Sequence, residues 1–300
     1  MVEPSAGPSP YAEDLRLAHV LADGVDSMAL ERFRAQDLQI STKADQTQVT
    51  DVDRAVEDAL RSTLSRVRPR DAVLGEEYGE SGHGSRRWVI DPIDGTHNFV
   101  RGVPVWAVLI ALMDGEDAVV GLVAAPGLQR RWWAAQGAGA WTGRSLSAAT
   151  RCEVSTVWSL SDAFLSYSSL SGWADRYQLE NFLHLTRAVS RTRAFGDFWS
   201  YMLLAQGGVD IACEPEVSLW DLAAPSVIVT EAGGRFTDLS GVDGPAGGSA
   251  VATNGPLHED VLELLSRDLS DDLLRATDEP AADNSSEQKE VGSQDGSQDA

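Results

Sequence analysis

The chain has 300 residues, of which 43% are hydrophobic and 23% charged, as in an ordinary globular protein. Its formal net charge is −22, because 46 acidic residues outnumber 24 basic ones. This excess argues against partners such as nucleic acid or an anionic membrane surface, since both require a basic face. No apolar run is long enough to span a bilayer, and the N-terminal residues lack the pattern of a secretory signal. We therefore expect a cytoplasmic protein.

The two ends of the chain differ in composition from the rest. Residues 1–10 are rich in Pro, Ser and Gly, and residues 271–300 form an acidic, largely polar tail; we expect both segments to be disordered. Between them we place an N-terminal subdomain at 11–150 and a C-terminal subdomain at 151–270. Cys152 and Cys213 are far apart in the sequence and are expected to be reduced thiols.

The N-terminal half alternates helix and strand patterns. Apolar residues at helical spacing predict helices over residues 11–33 and 51–67. Short apolar runs predict strands at 71–74, 88–90, 105–113, 119–124, 131–135 and 137–141. These strands indicate a large antiparallel or mixed sheet, flanked by the two N-terminal helices.

The second half of the chain predicts fewer strands and more helices. Strand patterns cover residues 164–167 and 209–213. Helical patterns cover 177–189, 198–205 and 218–232.

The stretch WVIDPIDGTHNF, residues 88–99, places two carboxylates where a buried strand ends. Pro92 cannot donate a sheet hydrogen bond, so it ends the strand and allows Asp91 and Asp94 to converge. With the carbonyl of Ile93 they form a set of hard oxygen ligands that suits Mg²⁺. The N–H groups of Gly95 and the next residue would seat an anion. The alternative interpretation is that both aspartates only stabilise a turn and a helix start.

Three further acidic segments have the same two interpretations. Glu76 and Glu77 follow the strand at 71–74, Asp53 lies in the first turn of the second helix, and Asp221 lies near the start of a later helix. Taken alone, each segment favours the plain interpretation, a solvated turn for the two glutamates and a helix-capping or first-turn residue for each aspartate.

Taken together, the segments GEE, DPIDGTHNF, and WDLAA followed by EAGG resemble the inositol monophosphatase family of Mg²⁺-dependent phosphatases. The resemblance covers the chain apart from its two ends. It implies an α+β fold, the layered αβαβα sandwich of this family, with the active site between the subdomains. It also implies a homodimer and two to three Mg²⁺ ions in each site.

The resemblance also implies individual roles in hydrolysis of a phosphate monoester. The metal ligands would be Glu76, Asp91, the carbonyl of Ile93, Asp94 and Asp221. Asp53 and Thr96 would orient and deprotonate the attacking water, and Glu77 would support a third ion. The backbone N–H groups of Gly95 and Thr96 would bind phosphate.

Two further features of the sequence bear on the site. Lys43 resembles the family's lysine near the metal and phosphate, although a plain surface lysine is an equal alternative. No Ser-His-Asp or Cys-His set stands out, so we expect direct attack by metal-activated water without a phosphoenzyme.

The substrate is less clearly indicated than the chemistry. The segments GDFWSY and FVRGVP resemble the histidinol-phosphate phosphatases of actinobacteria. Acidic groups at Asp197 and Glu214 would suit the ammonium and imidazole of that substrate. Asp197 is equally well explained as a helix cap. Inositol 1-phosphate, or another polyol phosphate, is the alternative substrate, and a metal-binding interaction protein without turnover is a third hypothesis.

Overall fold

A computed structural model of the protein describes residues 9–43 and 48–267. The acidic tail predicted at 271–300, and most of the N-terminal segment predicted to be disordered, lie outside these residues. Ser9, from that segment, is described, and its hydroxyl donates to the carbonyl of Gln136 at 2.8 Å.

The described residues contain eight α-helices and fifteen β-strands. The helices are α1 (Ala12–Arg32), α2 (Asp51–Val67), α3 (Thr96–Arg101), α4 (Leu170–Asp175), α5 (Leu179–Ala188), α6 (Asp197–Ala205), α7 (Leu219–Glu231) and α8 (His258–Ser266). The strands of the first half are β1 (Ile40–Thr42), β2 (Gln48–Thr50), β3 (Ala72–Gly75), β4 (Gly79–Ser81), β5 (Arg86–Asp94), β6 (Ala107–Asp114), β7 (Asp117–Ala125), β8 (Arg130–Ala135), β9 (Ala140–Gly143) and β10 (Ala149–Cys152). Those of the second half are β11 (Phe164–Ser166), β12 (Arg191–Arg193), β13 (Ile211–Glu214), β14 (Arg235–Thr237) and β15 (Ala250–Thr253).

The larger sheet has eight strands in the order β10-β9-β8-β7-β6-β5-β3-β4. It is mixed, because β3 and β5 run parallel while its other neighbours are antiparallel. Strand β6 is apolar at nearly every position because both of its faces are buried. Alternate residues of β6 pack into two different cores, with Leu109 on one side and Ile110 on the other.

The fold is built from five layers. Helices α1 and α2 cover one face of the large sheet, and α6 and α7 cover the other. The five-stranded sheet, in the order β12-β11-β13-β15-β14, packs on the far side of α6 and α7. Helices α4, α5 and α8 then cover its outer face. This is the αβαβα sandwich that was predicted.

Helix α7 lies close against the large sheet at one point. A Cβ atom on Gly121 of β7 would stand 2.4 Å from the carbonyl oxygen of Ala224, so glycine is required for this approach. The contact brings the start of α7, and with it Asp221, toward the strand ends that carry the other acidic residues.

Most predicted elements are present with ends shifted by one or two residues, and α2 matches its predicted range. The hairpin of β1 and β2, strands β4, β10, β12, β14 and β15, and helices α4 and α8 were not predicted. The division into subdomains at residue 150 stays a prediction. In the described part of the chain, both cysteines are buried and free, and no helix is long and apolar enough to cross a membrane.

Candidate active site

An acidic cluster forms where the parallel pairing of β3 with β5 ends. Their parallel register pairs Gly75 with Ile90, so Glu76 emerges next to Asp91. The N–H group of Glu76 donates to the carbonyl of Ile90 at 3.3 Å, which continues this pairing by one residue. Strand β5 continues through Pro92 to Asp94, so the prediction that Pro92 ends the strand was wrong. The proline is tolerated because the pairing of β5 with β6 is irregular between Asp91 and Asp94, and this irregularity bends the chain.

Asp91, Asp94 and Asp221 each place a carboxylate oxygen within 4.8 Å of the other two. Asp91 and Asp94 are buried. Burial, together with the charges of neighbouring carboxylates, raises the pKa of both aspartates well above the ordinary value. Burial also raises the pKa of Asp221 to about 7. Carboxylates in this arrangement repel one another, and a divalent cation among them would offset that repulsion. The cluster therefore fits Mg²⁺.

Asp221 has both roles that the sequence left open. Its Oδ2 accepts from the backbone N–H of Ser218 at 3.0 Å, which stabilises the first turn of α7. One of its carboxylate oxygens also lies within 4.8 Å of a carboxylate oxygen of Asp91. The capping contact thus fixes the side chain in the cluster.

Asp53 likewise combines a structural and a site contact. Its Oδ2 accepts from the N–H of Thr50 at 2.9 Å, in a capping box at the start of α2. Its Oδ1 lies 3.2 Å from the hydroxyl of Thr96. The Thr96 hydroxyl is also 2.9 Å from the carbonyl oxygen of Ile93, so it can donate to either acceptor. Burial raises the pKa of Asp53.

Gly95 and Lys43 are two residues that were predicted to bind phosphate. Gly95 immediately precedes α3 and has φ of +81°. This left-handed backbone conformation favours glycine. The Lys43 ammonium lies 2.7 Å from a Glu76 oxygen and 2.5 Å from a Glu77 oxygen. Its observed partners are thus carboxylates, and phosphate binding by Lys43 stays a prediction.

A cavity of about 1080 Å³ opens beside the acidic cluster. Asp94 and Asp221 line it on the cluster side, and Asp197 and Glu214 line it as well. The two acidic residues predicted to recognise the substrate therefore face the same space as two predicted metal ligands.

Glu214, at the end of β13, is buried in a network of hydroxyl groups. The Ser168 hydroxyl donates to its Oε1, and the Tyr201 hydroxyl donates to its Oε2 at 3.2 Å. Burial raises the pKa of Glu214 to about 7. A cation bound next to this carboxyl group would favour its ionised form.

Asp197 is the first residue of α6 and has a left-handed backbone, with φ of +50°. Gly196 holds the N-cap position of α6, so Asp197 is not the capping residue of this helix. Instead its Oδ2 accepts from the Asn98 side chain at 3.2 Å, and its N–H donates to Ser168 at 3.1 Å. The next residue, Phe198, donates its N–H to Asp94 at 2.7 Å.

Three residues of this site were not assigned a role from the sequence: Ser168, Tyr201 and Asn98. Tyr201 and Asn98 lie within segments that carry the family resemblance, but nothing local marks either as a site residue. Ser168 lies in the stretch YSSLSG, where no signal distinguishes it from its neighbours.

The sequence model of the inositol monophosphatase family matches residues 11–270. The chain belongs to the inositol monophosphatase family. Its members are phosphatases that act on small phosphate monoesters, so this protein is a phosphomonoesterase, as the acidic segments predicted. Magnesium dependence is typical of the family and agrees with the acidic cluster.

The chain is also similar to individual members of the family, both curated relatives and solved structures. The chain is 59% identical to the histidinol-phosphatase of Streptomyces coelicolor, over 86% of this chain and 98% of the relative. It is 58% identical to the histidinol-phosphatase of Mycobacterium tuberculosis, over 84% and 98%. Among solved structures, the inositol monophosphatase of Zymomonas mobilis aligns with a TM-score of 0.76 at 30% identity, over 87% of this chain and all of that one. An IMPase of Thermotoga maritima aligns with a TM-score of 0.74 at 26% identity, over 88% and 99%.

Proposed function

We propose that the protein is a Mg²⁺-dependent histidinol-phosphate phosphatase of histidine biosynthesis. The observation that carries the proposal is the meeting of Asp197 and Glu214 in the cavity beside Asp94 and Asp221. Histidinol phosphate has an anionic end, which requires cations, and a cationic end, which requires carboxylates. The cavity presents a predicted cation site and two further carboxylates along its wall. The two histidinol-phosphatases that are 59% and 58% identical support this assignment.

The proposed metal ligands are Glu76, Asp91, the carbonyl of Ile93, Asp94 and Asp221, holding two to three ions with Glu77 as support for the third. When bound, Mg²⁺ neutralises the charge of the phosphate and lowers the pKa of water. The protein's own contribution is to hold the carboxylates in place, and the backbone contacts of Asp221 and Asp53 do this without any ion.

Proton transfer is assigned to the pair of Asp53 and Thr96. The Thr96 hydroxyl, which lies between the Asp53 carboxylate and the carbonyl of Ile93, would orient a water molecule for attack on phosphorus. Asp53, buried and with its pKa raised, would accept the proton from that water. The N–H groups of Gly95 and Thr96 and the Lys43 side chain would bind phosphate oxygens.

Within the same cavity, Glu214 and Asp197 would bind the ammonium and imidazole of the substrate. Glu214 is already fixed by two hydroxyl groups, so little side-chain freedom would be lost on binding.

The test is a comparison of kcat/KM for L-histidinol phosphate and inositol 1-phosphate under the same Mg²⁺ concentration. We expect a preference of at least about 100-fold for histidinol phosphate, because two charge-assisted contacts are lost with the polyol. An equal or greater kcat/KM for inositol 1-phosphate would refute the assignment.

Inositol 1-phosphate is the second candidate. With its pKa raised to about 7, Glu214 can be protonated and can then donate to a hydroxyl group as well as accept from one. A 34% identical relative from Dictyostelium discoideum is an inositol monophosphatase, which also keeps this candidate open. Cytoplasmic location and assembly as a homodimer are proposed on the family resemblance.

A further inference from the structure

Helix α2 carries a second buried carboxylate besides Asp53, and the reaction scheme above does not use it. Glu57 is 0% exposed and lies one helical turn after Asp53. It forms an ion pair with Arg61, whose Nε donates to Glu57 Oε1 at 2.6 Å. A fully buried carboxylate is stable only when it accepts several hydrogen bonds. The other donors to Glu57 therefore identify the part of the fold that this side chain holds in place.

Those partners are backbone groups of the turn that carries the predicted metal ligands. The N–H of Glu77 donates to Glu57 Oε2 at 2.7 Å, and the N–H of Tyr78 lies 3.3 Å from Oε1. Glu77 and Tyr78 immediately follow Glu76, which stands beside Asp91. The carboxylate on α2 is therefore bonded directly to the β3–β4 turn.

The end of β3 is shaped to receive this carboxylate. A Cβ atom on Gly75 would stand 2.0 Å from Glu57 Oε1 and 2.3 Å from its carboxyl carbon. Any side chain at this position would displace Glu57 from the turn, and glycine leaves the space that the carboxylate fills.

Arg61 extends the contact along the rest of the hairpin. Its guanidinium donates to the Ser81 hydroxyl at 2.8 Å and to the carbonyl of Gly79. One ion pair on α2 therefore contacts both the turn and strand β4. Strand β4 is exposed at all three residues and lies at the edge of the sheet, so it has a neighbouring strand on one side only.

We propose that Glu57, supported by Arg61, is a positioning residue for the metal ligands Glu76 and Glu77. This inference rests on the metal site of the proposed function. Glu57 holds the turn so that both glutamate side chains leave the strand toward the cluster. Without it, the turn would keep its attachment to β5 through Glu76 but lose the hydrogen bonds that fix its backbone N–H groups on α2.

The substitution that tests this is Glu57→Gln. An amide keeps the shape of the side chain but replaces one acceptor by a donor, which would face the N–H of Glu77 or Tyr78, or the guanidinium of Arg61. We expect Mg²⁺ to bind about ten-fold more weakly, because substitutions of groups that orient metal ligands typically have this effect. Mg²⁺ binding is measured by isothermal titration calorimetry on the full chain, without substrate.

Asp14→Asn is the matched control. Asp14 is also a buried helical carboxylate, paired with Arg68 and Arg86, but it makes no contact with the β3–β4 turn among the hydrogen bonds of the described residues. The Asp14→Asn substitution should lower the melting temperature and leave the Mg²⁺ affinity unchanged within about two-fold, since the partners of Asp14 lie outside the cluster. An equal loss of Mg²⁺ affinity in both variants would mean a general structural effect and would overturn the inference.

A milder variant covers the case in which Glu57→Gln does not fold. Arg61→Gln leaves the carboxylate and removes its support, and we expect about three-fold weaker Mg²⁺ binding. If wild-type protein binds Mg²⁺ and the folded variants bind it equally well, the inference is wrong and the proposed function is unaffected. If wild-type protein does not bind Mg²⁺, the proposed function fails, and the inference fails with it.

Discussion

The acidic cluster and the substrate cavity share Asp94 and Asp221 but are built in different ways. In the cluster, Asp91 and Asp94 come from the irregular end of β5. Asp53 and Asp221 come from first turns of helices, where they also make backbone contacts. In the cavity, the contacts join single side chains that are far apart in the sequence. The Asn98 amide reaches Asp197 across 99 positions, for example.

We expect this difference to separate the residues that carry out hydrolysis from those that select the substrate. Backbone geometry at strand and helix ends fixes the cluster, so a change there should remove the reaction for every substrate. Side-chain hydrogen bonds fix the cavity, so a change there should alter which ester is accepted and leave the reaction itself intact. Substitutions on the two sides test this contrast.

The largest effect is expected for Asp94→Asn, on the cluster side. The amide can still accept from the N–H of Phe198, but one anionic ligand is lost. Activity toward any phosphate monoester should fall by about 10³-fold, equivalent to roughly 4 kcal/mol of transition-state stabilisation. Phosphate release is the assay, with circular dichroism to confirm folding. Activity above one tenth of wild type would show that the Asp94 carboxylate is not required for hydrolysis.

A selective effect is expected for Glu214→Gln, on the cavity side. Loss of the charge should raise KM for histidinol phosphate by about 10- to 100-fold, the usual range for a charge-assisted hydrogen bond. Hydrolysis of p-nitrophenyl phosphate, which has no cationic group, should stay within about three-fold of wild type. An equal loss of activity toward both substrates would show that Glu214 does not act on substrate selection alone, and the proposed difference between the two regions would be wrong.

Tyr201→Phe should have a smaller effect in the same direction. It removes the hydroxyl that donates to Glu214 Oε2 and leaves the carboxylate in place. We expect KM for histidinol phosphate to rise by about three- to ten-fold, as for a neutral hydrogen bond. Tyr167→Phe is the control, because the Tyr167 ring packs edge-on against Phe182 in the outer layer. If both variants shift KM equally, the Glu214 network is not what sets selectivity.

The smallest effect on activity is expected for His258→Asn, which provides a baseline outside both regions. His258 is buried between the hydroxyls of Thr237 and Thr253, each 3.0 Å from one ring nitrogen. Burial, followed by the charge of Arg235, lowers the pKa of His258 to about 4. The neutral ring therefore stabilises the fold fully above the unfolded pKa of about 6.5, and this stabilisation is lost as the pH falls toward 4.

Urea unfolding between pH 7 and pH 4.5 measures this loss. The wild type should lose about 1 to 2 kcal/mol more than the His258→Asn variant over that interval. Activity of the variant at pH 7 should equal that of the wild type. An identical pH slope in both proteins would show that His258 does not contribute to acid sensitivity.

The parts of the molecule that the sequence predicted are those that local patterns determine. Helix α2 was predicted over its full range because its apolar spacing and its capping residues agree. The burial of β6 on both faces left a continuous apolar run that is recognisable as a strand. Local patterns alone do not predict that Glu76 approaches Asp91, because the approach depends on the parallel register of β3 and β5. The family resemblance implied that the two residues share a metal ion.

What the sequence did not predict depends on distant contacts. Strands β14 and β15 have three and four residues and become strands only because they pair with each other and with β13. Ser168 has a role only because β11 lies beside β13, which brings its hydroxyl to Glu214. Glu57 was missed because a buried carboxylate on a helix gives the same pattern as a surface residue next to Arg61.

The four outer strands of the two sheets have a consequence for assembly. Strands β4 and β10 end the large sheet, and β12 and β14 end the smaller one. Each has only three or four residues, and charged side chains lie on them, including Arg191 and Arg193 on β12. Short, charged edges resist continuation by a strand from another molecule. A second copy of the chain should therefore associate through helices and loops, and both sheets should end within one protomer.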